Sequence, residues 1–148
     1  MLLYKSHYLT VNQIEIRYLM HLQWTVPADK LDEVGIYAET GKFMQNRIRR
    51  RARLILWDFS VIENRVSQQF FTWIEQNILP QIISVKTKRI AYVLKDPQKF
   101  QFPGDSMEFN GRQAEFRIFP TQQEAMNWLM EVAEMKELGR SSHHHHNH

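Results

Sequence analysis

The chain has no cysteine. That excludes a disulfide framework and thiol chemistry, and it fits a cytoplasmic protein. No apolar run approaches a membrane span, so no transmembrane segment is expected. The start, Met1-Leu2-Leu3-Tyr4-Lys5-Ser6-His7, meets charge and polarity at once and does not read as a secretory leader. There is no Gly-rich phosphate loop, so nucleotide hydrolysis and Rossmann-type binding both lack their signal, and no cofactor is expected. The end, from Arg140-Ser141-Ser142 through His148, reads as an expression tag, and five of the seven histidines lie in it. Of the two that remain, His7 and His21, neither sits in H-x-H or H-E-x-x-H spacing; no native metal site is expected. His21 falls on the polar phase of its segment and is expected to be exposed. No serine stands in G-x-S-x-G, and no enzyme constellation can be read. Outside the tag the chain holds 18 basic and 16 acidic residues, a net charge of +2. It is close to balanced, and nucleic acid is not an expected partner.

What is present is an α/β pattern in one domain, 1–139, with the tag over 140–148. Arg53-Leu-Ile-Leu-Trp-Asp58 is apolar without alternation, as a strand buried on both faces reads. A polar turn follows, and then Phe70, Trp73, Ile74, Ile78 and Ile82 at helical spacing. Pro80 should kink that helix or end its regular part. Arg89–Leu94 is a second buried strand. Leu54, Leu56, Ile90, Val93, Trp73 and Ile74 are expected to share one core.

Before this unit, residues 3–10 read as a short strand. Ile14, Ile16, Tyr18, Met20, Leu22 and Trp24 alternate with polar residues, a half-buried strand broken only at Leu19. Pro27 can open a helix whose Leu31, Val34, Ala38, Met44 and Ile48 fall near one face. Gly35 and Gly41 weaken it and would permit close packing. After the unit, residues 96–113 form a long irregular segment, with a hairpin at Asn110-Gly111 as the alternative. Residues 114–118 are a last strand. Thr121 and Glu124 form a capping box for a closing helix that buries Ala125, Trp128, Leu129 and Val132.

The order ββαβαβ(loop)βα, with a buried strand ending in Asp58-Phe59-Ser60, resembles the STAS or SpoIIAA-like superfamily, above all its stand-alone bacterial members of unknown function. The resemblance covers about residues 4–135 and matches the family's Asp-Leu-Ser start. It implies a mixed sheet, here of five strands, with helices packed largely on one face. It also implies a regulatory module that binds a protein partner, as the anti-sigma-factor antagonists do; a related fold binds lipids. The Asp-Ser-Ser-Gly of the switched members is replaced by Val66-Ser67-Gln68-Gln69.

Two groups of residues are candidate sites. Asp58, Ser60, Asn64 and Ser67 would lie where the chain leaves the carboxyl end of the buried strand, at a helix N-terminus. They could bind a partner or ligand; equally, Asp58 could close the turn and Ser67 cap the helix. Arg47, Arg49, Arg50 and Arg51 belong to a run, Lys42 to Arg53, of six cations and no acid. It could meet an anion or acidic partner, or be a solvated helix C-terminus. The functional expectation is a non-catalytic interaction module with an unidentified protein partner. The alternative is a binder of a small apolar or lipid-like ligand under the 96–113 segment, where Phe100, Phe102, Met107 and Phe109 could cover a pocket. Half-exposed outer strands also suggest a weak homodimer.

Overall fold

The computed structural model describes residues 1–14, 18–45, 52–109 and 111–131. Its strands are β1 (Leu2–Lys5), β2 (Leu9–Ile14), β3 (Leu19–Trp24), β4 (Leu54–Asp58), β5 (Arg89–Val93), β6 (Ser106–Phe109) and β7 (Arg112–Phe119). They form one mixed sheet in the order β1-β2-β3-β4-β5-β7-β6. β3, β4, β5 and β7 run parallel, and β1, β2 and β6 add antiparallel borders. Helix α1 (Glu33–Gln45) links β3 to β4, and the helical stretch from α2 (Gln68–Trp73) to α3 (Leu79–Ile82) links β4 to β5. Residues 122–131 form α4 after β7. The parallel strands advance across the sheet without reversing. Crossovers of one hand then place successive connections on the same face.

That face carries the larger core. Leu22, Ile55, Trp57, Ile90, Tyr92 and Phe116 meet Ile36, Phe43, Phe70, Phe71, Ile74 and Leu79 from the helices. The alternate strand residues Leu19, Leu54, Leu56, Ala91 and Val93 meet Ala125, Trp128 and Leu129 of α4 on the opposite face. The expected single core is therefore two. Leu54, Leu56 and Val93 belong to one, while Ile90 and Ile74 belong to the other, with Trp73 packed against it. All five residues of β4 are buried, as its unalternating sequence requires. Arg89 fastens α4: its Nη1 donates to the Trp128 carbonyl at 2.7 Å, and its guanidinium lies 4.4 Å from the Trp128 ring centre.

Several boundaries differ from the sequence expectation. There are seven strands rather than five: the two strands expected over 3–24 are three, divided by two turns that fall inside segments that read as continuous, and β6 lies in the segment that read as irregular. Ser6 Oγ accepts the N–H groups of Tyr8 and Leu9, which ends β1. The lost alternation at Leu19 marks a second turn: Tyr18 has φ 50° and β3 begins after it. Pro27 opens a 3-10 segment, Val26–Lys30, instead of α1. Asp32 starts α1 by accepting the Gly35 N–H at 2.8 Å. The offset rotates the helix, so Ile36, Glu39, Thr40 and Phe43 are buried while Val34 is 75% exposed. Gly41 has open space beside it, so it serves no close approach. Before Pro80 the helix widens into a π turn, Ile74–Ile78, and Leu79 N–H reaches the Ile74 carbonyl. Proline lacks an N–H and crowds the carbonyl four residues back, and the wide turn accommodates both. Within 96–113 the hairpin alternative is the observed one: β6 pairs with β7, and Gly111 takes φ 77°. The Thr121–Glu124 cap is present, with Glu124 N–H on Thr121 Oγ1 at 3.2 Å.

Candidate functional site

At the carboxyl end of β4 the chain turns on the Asp58 carboxylate. Oδ1 accepts the Ser60 N–H at 2.9 Å and the Ser60 hydroxyl at 2.6 Å. Oδ2 accepts the Gln122 side-chain amide at 2.7 Å, which ties the start of α4 to β4. Three donors satisfy a carboxylate that is 6% exposed. Phe59 then turns inward, stacked 4.8 Å from Trp57 and edge-on to Phe71 and Tyr92. The turn is thus held by apolar packing on one face of the sheet and by the carboxylate on the other.

The neighbouring loop, after β5, is bound to this turn. The buried Glu63 carboxylate accepts the N–H groups of Lys95 and Asp96 at 2.7 and 3.0 Å. Lys99 Nζ donates to Asn64 Oδ1. Gln68 pairs with the Gln101 backbone in both directions, at 2.6 and 2.8 Å, as a strand neighbour would. Ser67 donates its backbone N–H to Glu33 Oε2, and its hydroxyl makes no capping bond. The sequence-chosen residues therefore have separate tasks. Asp58 and Ser60 are joined, Asn64 holds the second loop, and Ser67 connects to α1. Glu63, Gln122 and Lys99 are the members that the sequence reading missed. A carboxylate inside a polar turn was visible for Glu63; Gln122 and Lys99 carried no local signal.

His21 is a correction. It is half-buried between Asn12 and Leu56 of the adjoining strands, and its Nε2 is enclosed without a hydrogen bond. Burial lowers its pKa, and the Asp58 charge opposes part of that effect. The polar phase of a strand is solvent-facing only where nothing packs on that face, and His21 shares its face with Leu19 and its neighbour Leu56, which belong to the core that α4 covers. The Ser60 hydroxyl donates to Asp58, the residue that also closes the turn. Among the described residues no three His, Asp or Glu side chains gather as metal ligands, and no helix is long and apolar enough to cross a membrane.

The most perturbed acid lies in the π turn. Burial pushes the Glu75 carboxyl from its ordinary 4.5 up to about 7. Its Oε1 and the Tyr92 hydroxyl are both enclosed without a hydrogen bond. Burial, and then the Glu75 charge, raise Tyr92 well above its usual value. Phe100 and Phe102 of the 96–113 segment pack on Phe71, and Phe102 also meets Tyr92 and Phe116. The segment's own rings occupy the space beneath it. Of two surface hollows, one of about 380 Å³ is lined by other parts of the chain, and one of about 370 Å³ takes only Phe109, Arg112 and Gln113 from the segment's far end, away from Phe100 and Phe102. Arg47, Arg49, Arg50 and Arg51 lie outside the described residues.

Comparison with protein-family models, with curated proteins and with solved structures gives no match.

Proposed function

We propose that this chain is a non-catalytic interaction module of STAS type, and that a protein partner docks on the joined loops at the carboxyl ends of β4 and β5. The observation that carries the reading is the double tie of Glu63 to Lys95 and Asp96. It makes one fixed platform from two loops far apart in sequence. Preorganised loops lower the ordering cost of association. The unreversed strand order supports the same reading. Ligand crevices in open sheets form where strand order reverses and helices part to opposite faces. Here the connections stay on one face, which favours a continuous surface over a crevice. A small apolar ligand under 96–113 has less support, since Phe100 and Phe102 fill that space.

The test uses surface changes that spare the ties inside the platform. Ser67→Lys and Gln101→Lys are made singly and together, with the Lys88→Gln, Arg112→Gln pair at the other end of the sheet as a control. Partners recovered from the native organism are quantified, and binding of the purified partner is then measured. Loss of binding with the lysine variants, at unchanged melting temperature, supports the platform. Retained binding there, with release by the control pair, moves the docking surface to the other end.

A further inference from the structure

A second site stands at the opposite end of the strands, where the end of α3, the approach to β5 and the β6–β7 hairpin enclose the hollow of about 370 Å³. Its wall includes Pro80, Ile83 and Phe109, and its polar groups include Ser84, Lys88 and Arg112; among the described residues no acidic one lines it. Lys88 precedes β5 and Arg112 opens β7 directly opposite Phe109, and both cations line this hollow. Neither side chain makes a hydrogen bond or ion pair among the described residues. The lining turn is itself ordered. Thr87 Oγ1 donates to the Ala52 carbonyl at 2.6 Å and accepts the Ser84 N–H at 2.9 Å. The Ser84 hydroxyl accepts the Lys86 N–H at 3.1 Å and keeps its own proton to donate.

We propose that this hollow binds a small organic anion with a short apolar body, its carboxylate or phosphate head held by Lys88, Arg112 and the Ser84 hydroxyl. The guanidinium offers a planar fork to either head group, and the ammonium adds a second charge. The apolar wall accounts for the body, and the volume lies at the small end of ligand pockets, roughly 300–1,000 Å³. Two unpaired cations lining one hollow repel, and an anion bound between them offsets that cost. The site is independent of the partner platform and stands or falls without it.

An NMR titration of the full chain tests it, with hexanoate, hexyl phosphate, 1-hexanol and inorganic phosphate as probes. Hexanoate or hexyl phosphate should give saturable shifts at the amides of residues 84–88 and 112–114. The tighter of the two identifies the head group. 1-Hexanol and inorganic phosphate should each bind about tenfold more weakly or worse, one lacking the charge and the other the apolar body. Lys88→Gln and Arg112→Gln should each weaken the anion by about tenfold, while Lys86→Gln, a cation outside the lining, should not. Both replaced side chains are exposed, so the fold is expected to survive, and an unchanged melting temperature checks this. Four results overturn the proposal: no saturable shift with either anion up to about 10 mM, shifts that map elsewhere, 1-hexanol or inorganic phosphate binding as well as the tailed anion, or full affinity in the Lys88, Arg112 double variant.

Discussion

The two ends of the parallel strands are built from opposite materials. At the carboxyl ends the carboxylates of Asp58 and Glu63 are buried with both oxygens of each hydrogen-bonded, Asp58 by one backbone N–H and two side chains, Glu63 by two backbone N–H groups. At the amino ends Lys88 and Arg112 are exposed cations without partners among the described residues. Charge at the first end has been turned into rigidity, and charge at the second is still available. A buried carboxylate with all its acceptors used is a structural part; an unpaired cation beside an apolar wall is a receptor. Nearly balanced net charge, read from composition alone, conceals this division.

The strongest perturbation would strike both ends at once. Leu56 is fully buried in the strand that joins them, and Leu56→Ala should cost about 2–5 kcal/mol in denaturant melts. Asp58→Ala should separate the ends. It leaves Ser60 and Gln122 without their acceptor and should cost about 1–3 kcal/mol. The Lys88→Gln, Arg112→Gln pair should stay within about 0.5 kcal/mol of the parent. Equal losses from the two changes would dissolve the contrast.

Glu75 sharpens the picture by pH. Its folded pKa lies above the unfolded one, so the folded state holds the extra proton between 4.5 and about 7. Stability from this group is complete below pH 4.5, falls as pH rises to 7, and is level above that. Glu75→Gln should therefore stabilise the protein at pH 8, by about 1 kcal/mol after allowance for the partly exposed side chain, and remove that slope from melting-temperature profiles. A slope that persists in the variant would point to another group. The smallest effect belongs to Ser67→Ala. Its hydroxyl makes no capping bond, so the change should fall within about 0.5 kcal/mol, below the usual loss for an N-cap. A loss above 1 kcal/mol would show that the hydroxyl caps α2 in solution.

The buried strands, the capping box and the face of α4 at Ala125, Trp128 and Leu129 were legible because each is set by neighbours in sequence; Val132, also expected on that face, lies outside the described residues, as do Ile16 and Ile48. Burial on both faces suppresses alternation at 54–58, and a cap needs only Thr121 and Glu124. The turn at Tyr18 was also written in the chain, as the break at Leu19, yet a single phase error inside an otherwise regular pattern reads as noise. The face of α1 was misread because the 3-10 segment after Pro27 rotates everything that follows. His21 and Glu39 were beyond local reading. Whether a polar residue is buried depends on what the topology brings beside it, and Tyr4, whose hydroxyl donates to Glu39 at 3.0 Å, is far away in sequence. The site was half legible for the same reason. Asp58 binds Ser60 two residues on, whereas Glu63 and Gln122 act across long separations.

The borders of the sheet carry a consequence for how this protein behaves at high concentration. Both outermost strands, β1 and β6, have four residues, and the pairing of β1 with β2 slips between Leu2 and Tyr4. A short, irregular border gives an incoming strand few backbone groups to match. Chains crowded together, on the ribosome or in a concentrated solution, thus lack a template for stacking edge to edge into fibres. A homodimer of this protein is accordingly expected to be joined through side chains on a surface rather than through a sheet that can keep growing.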